Sequence, residues 1–445
     1  MPQAPKQQAD PRLRAAEALT LVEDGLGSQQ ALRRALDAQP ALASADRGLC
    51  TELVYGVLRR RRALDRWLEP SCRQGLYGLG EATLAILRLG ALQLADLHTP
   101  PHAAVHATVE AAKRCLPPRQ IAFVHAVLRE LARRLEQADR PDARDLPDWL
   151  ERRVAQWAQR AGVDPPRLVS ALSQPAPLFI HALDGDVARL RAELAAEAVQ
   201  LEALDGVSVP GVGQCSDGQF FRSAAFGQRR ALAQDAASAA VVEWLVACLG
   251  PCAPSSPPQV ADIAAGLGVK SARLAAAGAA VTAIDKSAEK LGHAAALCAG
   301  LGYPLAATLC GDATGDLGVA ASTFDAVLLD APCTALGTLR RRPELRHRRH
   351  AADILRMAEL QRRLLDRNAA LVRPGGVLIY AVCSFAPEEG SDQIAGFLDG
   401  HPEFSRAGDA PPWLRPWLND EGDLFSTPLL GGADGFFAAC LKKTH

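Results

Sequence analysis

Along the first 140 residues apolar positions recur at intervals of three and four, whereas from about residue 234 helical stretches alternate with short continuous apolar runs. The first pattern predicts helices over Leu13 to Leu26, Leu49 to Leu58, Ala82 to Leu97, Ala103 to Arg114 and Ile121 to Leu135. Pro40, Pro70, Pro100-Pro101 and Pro117-Pro118 separate them, as residues that cannot continue a helix should. Residues 1–140 therefore read as one all-α domain. Asp139 to Asp148, with two prolines and four aspartates, reads as a linker before a helix around Trp149 to Ala161. Residues 141–233 form that linker and a small mixed α/β subdomain, with a helix at Val187 to Ala198 and strands around Pro177 to Ala182 and Gly206 to Pro210. Residues 234–445 follow a βα alternation that predicts a parallel sheet covered on both faces.

Composition adds limits rather than a function. The chain has 445 residues and a formal net charge of -1, which is not the strongly basic signature of a nucleic-acid binder. Charge is uneven, however. Arg59 to Arg62 are consecutive, and Arg340, Arg341, Arg342, Arg346, Arg348 and Arg349 form a denser cluster. A solvated helix face is one reading of the first run, and phosphate contact the other. The second follows a candidate catalytic loop, where guanidinium groups could hold phosphates. Arg59, Arg60, Arg340, Arg341 and Arg342 are thus the candidate RNA contacts. Met1 to Arg12 is polar, and no segment reaches eighteen uncharged apolar residues, so a soluble cytoplasmic chain with reduced thiols is expected. No two of the eleven cysteines have Cys-x-x-Cys spacing, and no metal site is expected. Cys50, Cys115, Cys248, Cys298, Cys310 and Cys440 lie among apolar residues and are expected to serve packing.

Two other cysteines have a different setting. Cys333 follows the apolar run Phe324 to Leu329 through Asp330-Ala331-Pro332, and Cys383 follows Val377 to Tyr380. If both runs are buried parallel strands, both thiols stand at the carboxyl edge of the sheet, where ligands of open α/β folds bind. One thiolate can add to an electrophilic ring carbon, and a second thiol can assist the later elimination.

The strand-loop-helix unit opening that sheet is Val260 to Ser271. Its loop contains Ala264, Ala265, Gly266 and Gly268, whose glycines let backbone approach a ligand, and Lys270 follows. Asp262, Asp285, Asp312 and Asp330 fall within or after successive predicted strands. Asp285 is placed to accept both ribose hydroxyls, and Asp312 to meet an adenine amino group. A carboxylate-rich rim disfavours polyphosphate and suits a cofactor carrying a ribose, an adenine and a cationic sulfonium, namely S-adenosylmethionine.

These segments resemble the bacterial 16S ribosomal RNA cytosine-C5 methyltransferases of the RsmB, or Sun, group over nearly the whole chain. Asp46-Arg47, Glu52 to Arg59 and Phe123 to Arg129 resemble the NusB-like RNA-binding domain of that family. Leu146 to Leu150, Gln234 to Ser238, Asp330 to Cys333 with Arg340 to Glu344, Cys383-Ser384, Pro387 to Glu389 and Asp434 to Ala438 resemble segments of its catalytic half. The resemblance implies an all-α NusB-like domain followed by a Rossmann-like S-adenosylmethionine-dependent methyltransferase domain. It implies Cys383 as nucleophile toward cytosine C6, and Cys333 as the group assisting loss of the C5 proton and enzyme release. Asp330 would hold the base's pairing edge, with Lys270 bridging cofactor loop and pocket. The implied partner is structured RNA, specifically small-subunit ribosomal RNA, met by a monomer with no membrane and no metal involved.

The chain departs from the family pattern near the cofactor. Leu267 and Val269 stand in the loop where the family has proline and glycine; His181 and Leu183 replace arginine and asparagine, and Gly390 replaces asparagine. Two alternatives therefore stay open. One is an RNA-binding assembly factor with weakened or lost turnover. The other is a methyltransferase redirected to another RNA or a small product.

Overall fold

A computed structural model of the chain describes residues 10–72, 75–97, 99–137, 145–215 and 218–444. Residues 1–9 and most of the expected linker, Asp139 to Arg144, lie outside the described residues. The chain divides into two compact units, 1–152 with 339–348, and 153–338 with 349–445. These divisions differ from the expected borders at 140 and 233.

The first unit is built on α1 (Pro11–Glu23), α2 (Ser28–Asp37), α3 (Ser44–Leu68), α4 (Glu81–Ala95), α5 (Pro101–Ala112) and α6 (Pro118–Glu136). Proline opens α1, α5 and α6 at positions where its missing N–H costs nothing, and the Asp10 carboxylate accepts the Arg12 N–H at 2.9 Å to cap α1. Helix α4 is buried along nearly its whole length, including Ile86, Leu87 and Leu89, and so forms the core around which the others pack. A Cβ at Gly90 would lie 2.5 Å from Leu128 Cδ1, so glycine permits α4 and α6 to approach closely. Helix α2 was absent from the predicted elements. Its buried positions, Ala31, Leu32, Ala35 and Leu36, do carry helical spacing, but half of them are alanine and the stripe is short.

The second unit starts within α7 (Asp148–Arg160) and continues through α8 (Pro165–Leu172). A four-stranded antiparallel sheet of order β2-β3-β1-β4 follows, made from β1 (Leu178–Ala182), α9 (Val187–Ala196), β2 (Leu201–Glu202), β3 (Val212–Cys215), α10 (Ala224–Gly227) and β4 (Ala231–Ala233). The strand expected at Gly206 to Pro210 is not one; β3 begins after Pro210 and Gly211, the latter at φ +74°. Then come α11 (Ala236–Leu249), β5 (Gln259–Ile263), α12 (Val269–Ala276), β6 (Ala280–Asp285), α13 (Ala288–Gly300), β7 (Ala307–Cys310) and β8 (Phe324–Asp330). After α14 (Leu345–Arg348), which belongs to the first unit, the unit closes with α15 (Ala351–Ala369), β9 (Val372–Val382), α16 (Ser391–Gly400), β10 (Phe404–Arg406), β11 (Leu424–Ser426) and β12 (Phe436–Lys443).

The large sheet has the order β10-β12-β9-β8-β5-β6-β7, with β11 paired to β12. Strands β9, β8, β5, β6 and β7 are parallel, and β12 runs antiparallel to β9. Val260, Ala261, Ile263, Ala326, Val327, Leu328 and Leu329 are fully buried, which explains why β5 and β8 are continuous apolar runs without alternation. Strand β9 begins at Val372 rather than Val377. A register shift opposite Phe324 and Ala326 accommodates Pro374-Gly375-Gly376, with Gly375 at φ +76°.

Residues 339–348 pack into the first unit through groups usually found at surfaces. Glu344 is 2% exposed and accepts the Ser28 N–H at 3.3 Å. Arg346 is fully buried, its guanidinium donates to the Arg59 carbonyl at 3.1 Å, and burial lowers its pKa to about 10. Arg348 donates to the carbonyls of Val22, Gly25 and Leu26, at and just past the end of α1. Cys50, Cys298 and Cys440 are buried, but Cys115, Cys248 and Cys310 are exposed, so packing does not account for these three.

Candidate active site

The carboxyl ends of β8 and β9 bring Cys333 and Cys383 together. Cys383 is the first residue after β9, and Cys333 stands three residues beyond β8. Their sulfurs are 3.3 Å apart. The Cys333 thiol is pushed well up, first by its hydrogen bond with Cys383 and then by burial, with further repulsion from Cys383 and Glu389. Cys333 is thus held in its protonated form.

Several backbone ties hold the two loops. The Ala331 N–H donates to the Ala381 carbonyl at 2.8 Å, Gly337 N–H to the Cys383 carbonyl at 3.0 Å, and Gly435 N–H to the Gly337 carbonyl at 2.9 Å. A Cβ on Gly337 would fall 1.8 Å from the Gly435 oxygen, so only glycine fits that crossing. Glu389, fully buried, joins the loops through its side chain. Its carboxylate accepts the Thr334 N–H at 2.7 Å, the Thr334 hydroxyl, the Ser384 hydroxyl at 2.6 Å and the Gln361 amide at 3.1 Å. Thr334 follows Cys333 and Ser384 follows Cys383, so one carboxylate positions the residue after each thiol. Its backbone carbonyl also accepts the Tyr380 hydroxyl at 2.6 Å.

Lys270, near the start of α12, donates to Asp330 Oδ2 at 2.7 Å. Burial opposes the lysine charge, but Asp330, and then Asp262 and Cys383, raise its pKa above the usual range. Asp262 is 1% exposed and accepts the Ser271 hydroxyl at 2.5 Å, while its Oδ1 has no hydrogen-bond partner. Burial chiefly pushes its carboxyl up to about 7, against the Ser271 hydrogen bond and Lys270. An acid whose folded pKa is raised contributes stability in full below its unfolded value, about 4, and loses it as pH rises through 7. Asp262→Asn, which stays neutral, is expected to flatten the decline in melting temperature between about pH 4 and 7. An undiminished decline in the variant would place the titrating group elsewhere.

The loop between β5 and α12 contains three residues of left-handed backbone, Ala264, Gly266 and Gly268, at φ +60°, +58° and +81°. Ala265 N–H reaches the Ile284 carbonyl at 3.1 Å, and Asp285 accepts Gly266 N–H at 3.0 Å and Ser287 N–H at 2.9 Å. Val269 is the first helical residue of α12, so its β-branch needs no left-handed backbone, and Leu267 projects to solvent at 59% exposure. These two departures leave the turn intact. Asp312, after β7, accepts from the Thr314 N–H and hydroxyl, which lower its pKa. The buried, partnerless Asp262 Oδ1, the glycine turn and Asp285 at the end of β6 suit a nucleoside with hydroxyl and N–H donors.

A family profile described as "NusB family" matches residues 9–133, and one described as "16S rRNA methyltransferase RsmB/F" matches residues 252–442. The chain is 35% identical over 435 residues to "Ribosomal RNA small subunit methyltransferase B" of Thermus thermophilus, covering 98% of each protein. It is 31% identical over 452 residues to the protein of that name from Sodalis glossinidius, again covering 98% of each. The chain belongs to the RsmB/F family of methyltransferases. Among solved structures it is similar to that titled "Crystal Structure of PH0851", with a TM-score of 0.79 and 25% identity over 98% of this chain and 100% of the other. The family's two-part design, NusB-like helices and a methyltransferase sheet, is the architecture described above.

Within this RsmB-family fold the arginines are distributed differently from the expected basic patches. Arg60 donates to Asp96 at 3.0 Å and Asp145 at 2.6 Å, which spends its charge internally, and Arg59 is half-buried with a pKa lowered by burial. Arg340 is 5% exposed and Arg341 half-buried; Arg342 is exposed and lies 3.8 Å from Glu344. Burial and internal pairing thus correct the expectation that Arg60 and Arg340 offer open phosphate contacts. The Glu389 hub was missed as a site residue, although Pro387-Glu388-Glu389 was legible as a family segment. Among the described residues no cluster of His, Cys, Asp and Glu could hold a metal, and no helix is long and apolar enough to cross a membrane.

Proposed function

We propose that the protein transfers a methyl group from S-adenosylmethionine to C5 of a cytosine in small-subunit ribosomal RNA. The observation that carries this reading is the pair of sulfurs 3.3 Å apart at the ends of adjacent parallel strands, with the Lys270–Asp330 pair beside them. The names of the relatives, ribosomal RNA small subunit methyltransferase B, support the substrate.

Asp262, the turn with Ala264, Ala265, Gly266 and Gly268, Asp285 and Asp312 would hold the cofactor, which when bound supplies an electrophilic methyl on sulfonium. Cys383 is the nucleophile. Its thiolate adds to C6 of a base turned out of its stack, forming an S–C6 bond and moving electron density to C5, which then takes the methyl. Asp330 holds the base's pairing edge, and Lys270 supports the electron-rich adduct. Cys333, after releasing its resting proton to water, accepts the C5 proton as a thiolate; the C5=C6 bond reforms as the S–C6 bond breaks and returns the Cys383 thiolate. The proton on Cys333 is held up first by its contact with Cys383. Once Cys383 is a thioether that contribution ends, and Cys333 ionises more easily than before.

The test incubates the full chain with methyl-labelled S-adenosylmethionine and unmodified small-subunit ribosomal RNA, then digests the RNA to nucleosides. Label in 5-methylcytidine, at about one methyl per RNA, is expected. Label in another nucleoside would overturn the cytosine assignment, and cofactor binding without transfer to any RNA would favour an assembly factor.

A further inference from the structure

Away from Cys333 and Cys383, the second unit holds another pair of adjacent thiols. Cys248 lies in the last turn of α11 and Cys440 within β12, and their sulfurs are 3.7 Å apart. Cys440 is 2% exposed and packs in the same buried cluster as Ala240 and Trp244 of α11. Cys248 is exposed, so a packing role explains only one member of the pair. Cys252, the next thiol along the chain, is tied to the Gly250 carbonyl at 3.6 Å.

Contacts at opposite ends lay α11 along β12. At its start the Asp235 carboxylate accepts the Asp434 N–H at 3.0 Å, and at its end stand the two thiols. From Asp235 to Cys248 a helix rises about 20 Å at 1.5 Å per residue, and from Asp434 to Cys440 an extended chain covers about 20 Å at 3.3 Å per residue. The two spans match, so the thiols meet where the first contact and the regular geometry bring them. On the strand side Cys440 is fixed, paired with Ile379 of β9 and accepting the Ala407 N–H at 2.8 Å through its carbonyl. The helix end has more freedom, because α11 stops at Leu249 and Gly250 turns the chain at φ +66°. An S–S bond is about 2.05 Å long, so the sulfurs need to approach by under about 2 Å, which rotation about the two Cα–Cβ bonds spans.

The surroundings give the thiols different characters. Lys442 is two residues past Cys440 and so on the same face of β12. After the hydrogen bond with Cys440, its charge lowers the Cys248 pKa against the cost of partial burial. Cys440 moves the opposite way, first through that same hydrogen bond and then through burial. An accessible thiol that ionises beside a buried one that keeps its proton can attack a hydroperoxide and have the product captured.

We propose that Cys248 and Cys440 form a peroxide-responsive site that closes to a disulfide and fastens the end of α11 to β12. The Cys248 thiolate attacks hydrogen peroxide; an S–O bond forms, the O–O bond breaks, and the departing hydroxide takes up the proton that Cys248 had released. Cys248 is then a sulfenic acid. The Cys440 sulfur attacks the Cys248 sulfur, the S–S bond forms as the S–O bond breaks, and the oxygen leaves as water with the Cys440 proton. Two thiols are oxidised and one peroxide is reduced to two waters. The site stands apart from the methyl-transfer reading, and its test reads no turnover.

The full chain is treated with a small molar excess of hydrogen peroxide, free thiols are blocked with iodoacetamide, and non-reduced peptides are mapped by mass spectrometry. A peptide linking Cys248 to Cys440 is expected in most molecules, and is expected to vanish after dithiothreitol. In Cys440→Ser the sulfenic acid has no capturing thiol, so dimedone should label Cys248. Cys248→Ala, changed at an exposed position, should leave Cys440 as the free thiol. The bridge joins residues 192 apart in sequence, so oxidation should raise the melting temperature of wild type by about 5 °C or more beyond any change in Cys248→Ala. Alkylation of both Cys248 and Cys440 after peroxide, a Cys248–Cys252 link, or Cys248 carried to sulfinic acid with Cys440 still free would each overturn the site. A linked peptide whose melting temperature matches that of treated Cys248→Ala would overturn the fastening.

Discussion

Cys383→Ala is expected to abolish methyl transfer, by about 10⁴-fold or more, whereas Cys333→Ala is expected to accumulate protein covalently joined to methylated RNA. The two sulfurs are close enough to act on one base, so position alone does not separate their roles. Their electrostatics do. Cys333 is held protonated by the Cys383 contact and by burial. With Cys333 held protonated, adduct formation is assigned in this proposal to Cys383. Without Cys333 the C5 proton has no nearby sulfur to receive it, and the S–C6 bond persists. A denaturing gel resolves the outcomes, since the adduct migrates as a protein–RNA species that carries methyl label. If Cys333→Ala is inactive and Cys383→Ala gives the adduct, the assignment is reversed. Equal, partial losses in both variants, with no adduct, would argue against covalent catalysis.

The second large effect is expected at Glu389. Replacement by alanine removes one buried carboxylate but strands the Thr334 N–H, two hydroxyls and an amide that all donate to it. Breaking such a buried charged network costs on the order of 3–5 kcal/mol, large against the stability of a domain. Glu389→Gln keeps the shape but offers only one acceptor oxygen, and should cost about 1–3 kcal/mol. Because Glu389 holds the loops of both cysteines, the glutamine variant should also lower kcat more than it raises KM, measured well below its melting temperature. It should further shift the pH–rate profile, because Glu389 contributes to holding the Cys333 thiol up. Wild-type kcat, pH profile and melting temperature in Glu389→Gln would remove it as a positioning residue.

The parts of the fold that depend on local pattern were legible in the chain. Phe324 to Leu329 and Val377 to Tyr380 are apolar runs with few competing readings, and placing them in parallel put Cys333 and Cys383 at one edge before their distance was known. The succession of Asp262, Asp285, Asp312 and Asp330 followed from the same strand order. Burial of polar groups was not legible. Arg346 and Arg348 look like exposed basic residues in any local window, yet Arg346 is buried and their partners come from α3 and α1, some 280 residues or more earlier in the chain. Glu389 was hidden for a related reason, since its partners Thr334, Gln361 and Ser384 come from three segments. The start of β9 was misplaced because proline and two glycines normally end a strand, and here a register shift carries pairing across them.

The decapeptide 339–348 has a consequence for how the chain comes into being. It belongs to the helical unit but is translated after β8, when half of the large sheet's eight strands have been made. As the polypeptide emerges from the ribosome, α1 to α6 can collapse early, yet the carbonyls at the end of α1 and the Ser28 amide wait for Arg348 and Glu344. The amino-terminal unit is finished only once residue 348 has been made. A fragment cut at residue 152 would consequently be a nascent intermediate rather than a freestanding module, with part of its interior still unsynthesised.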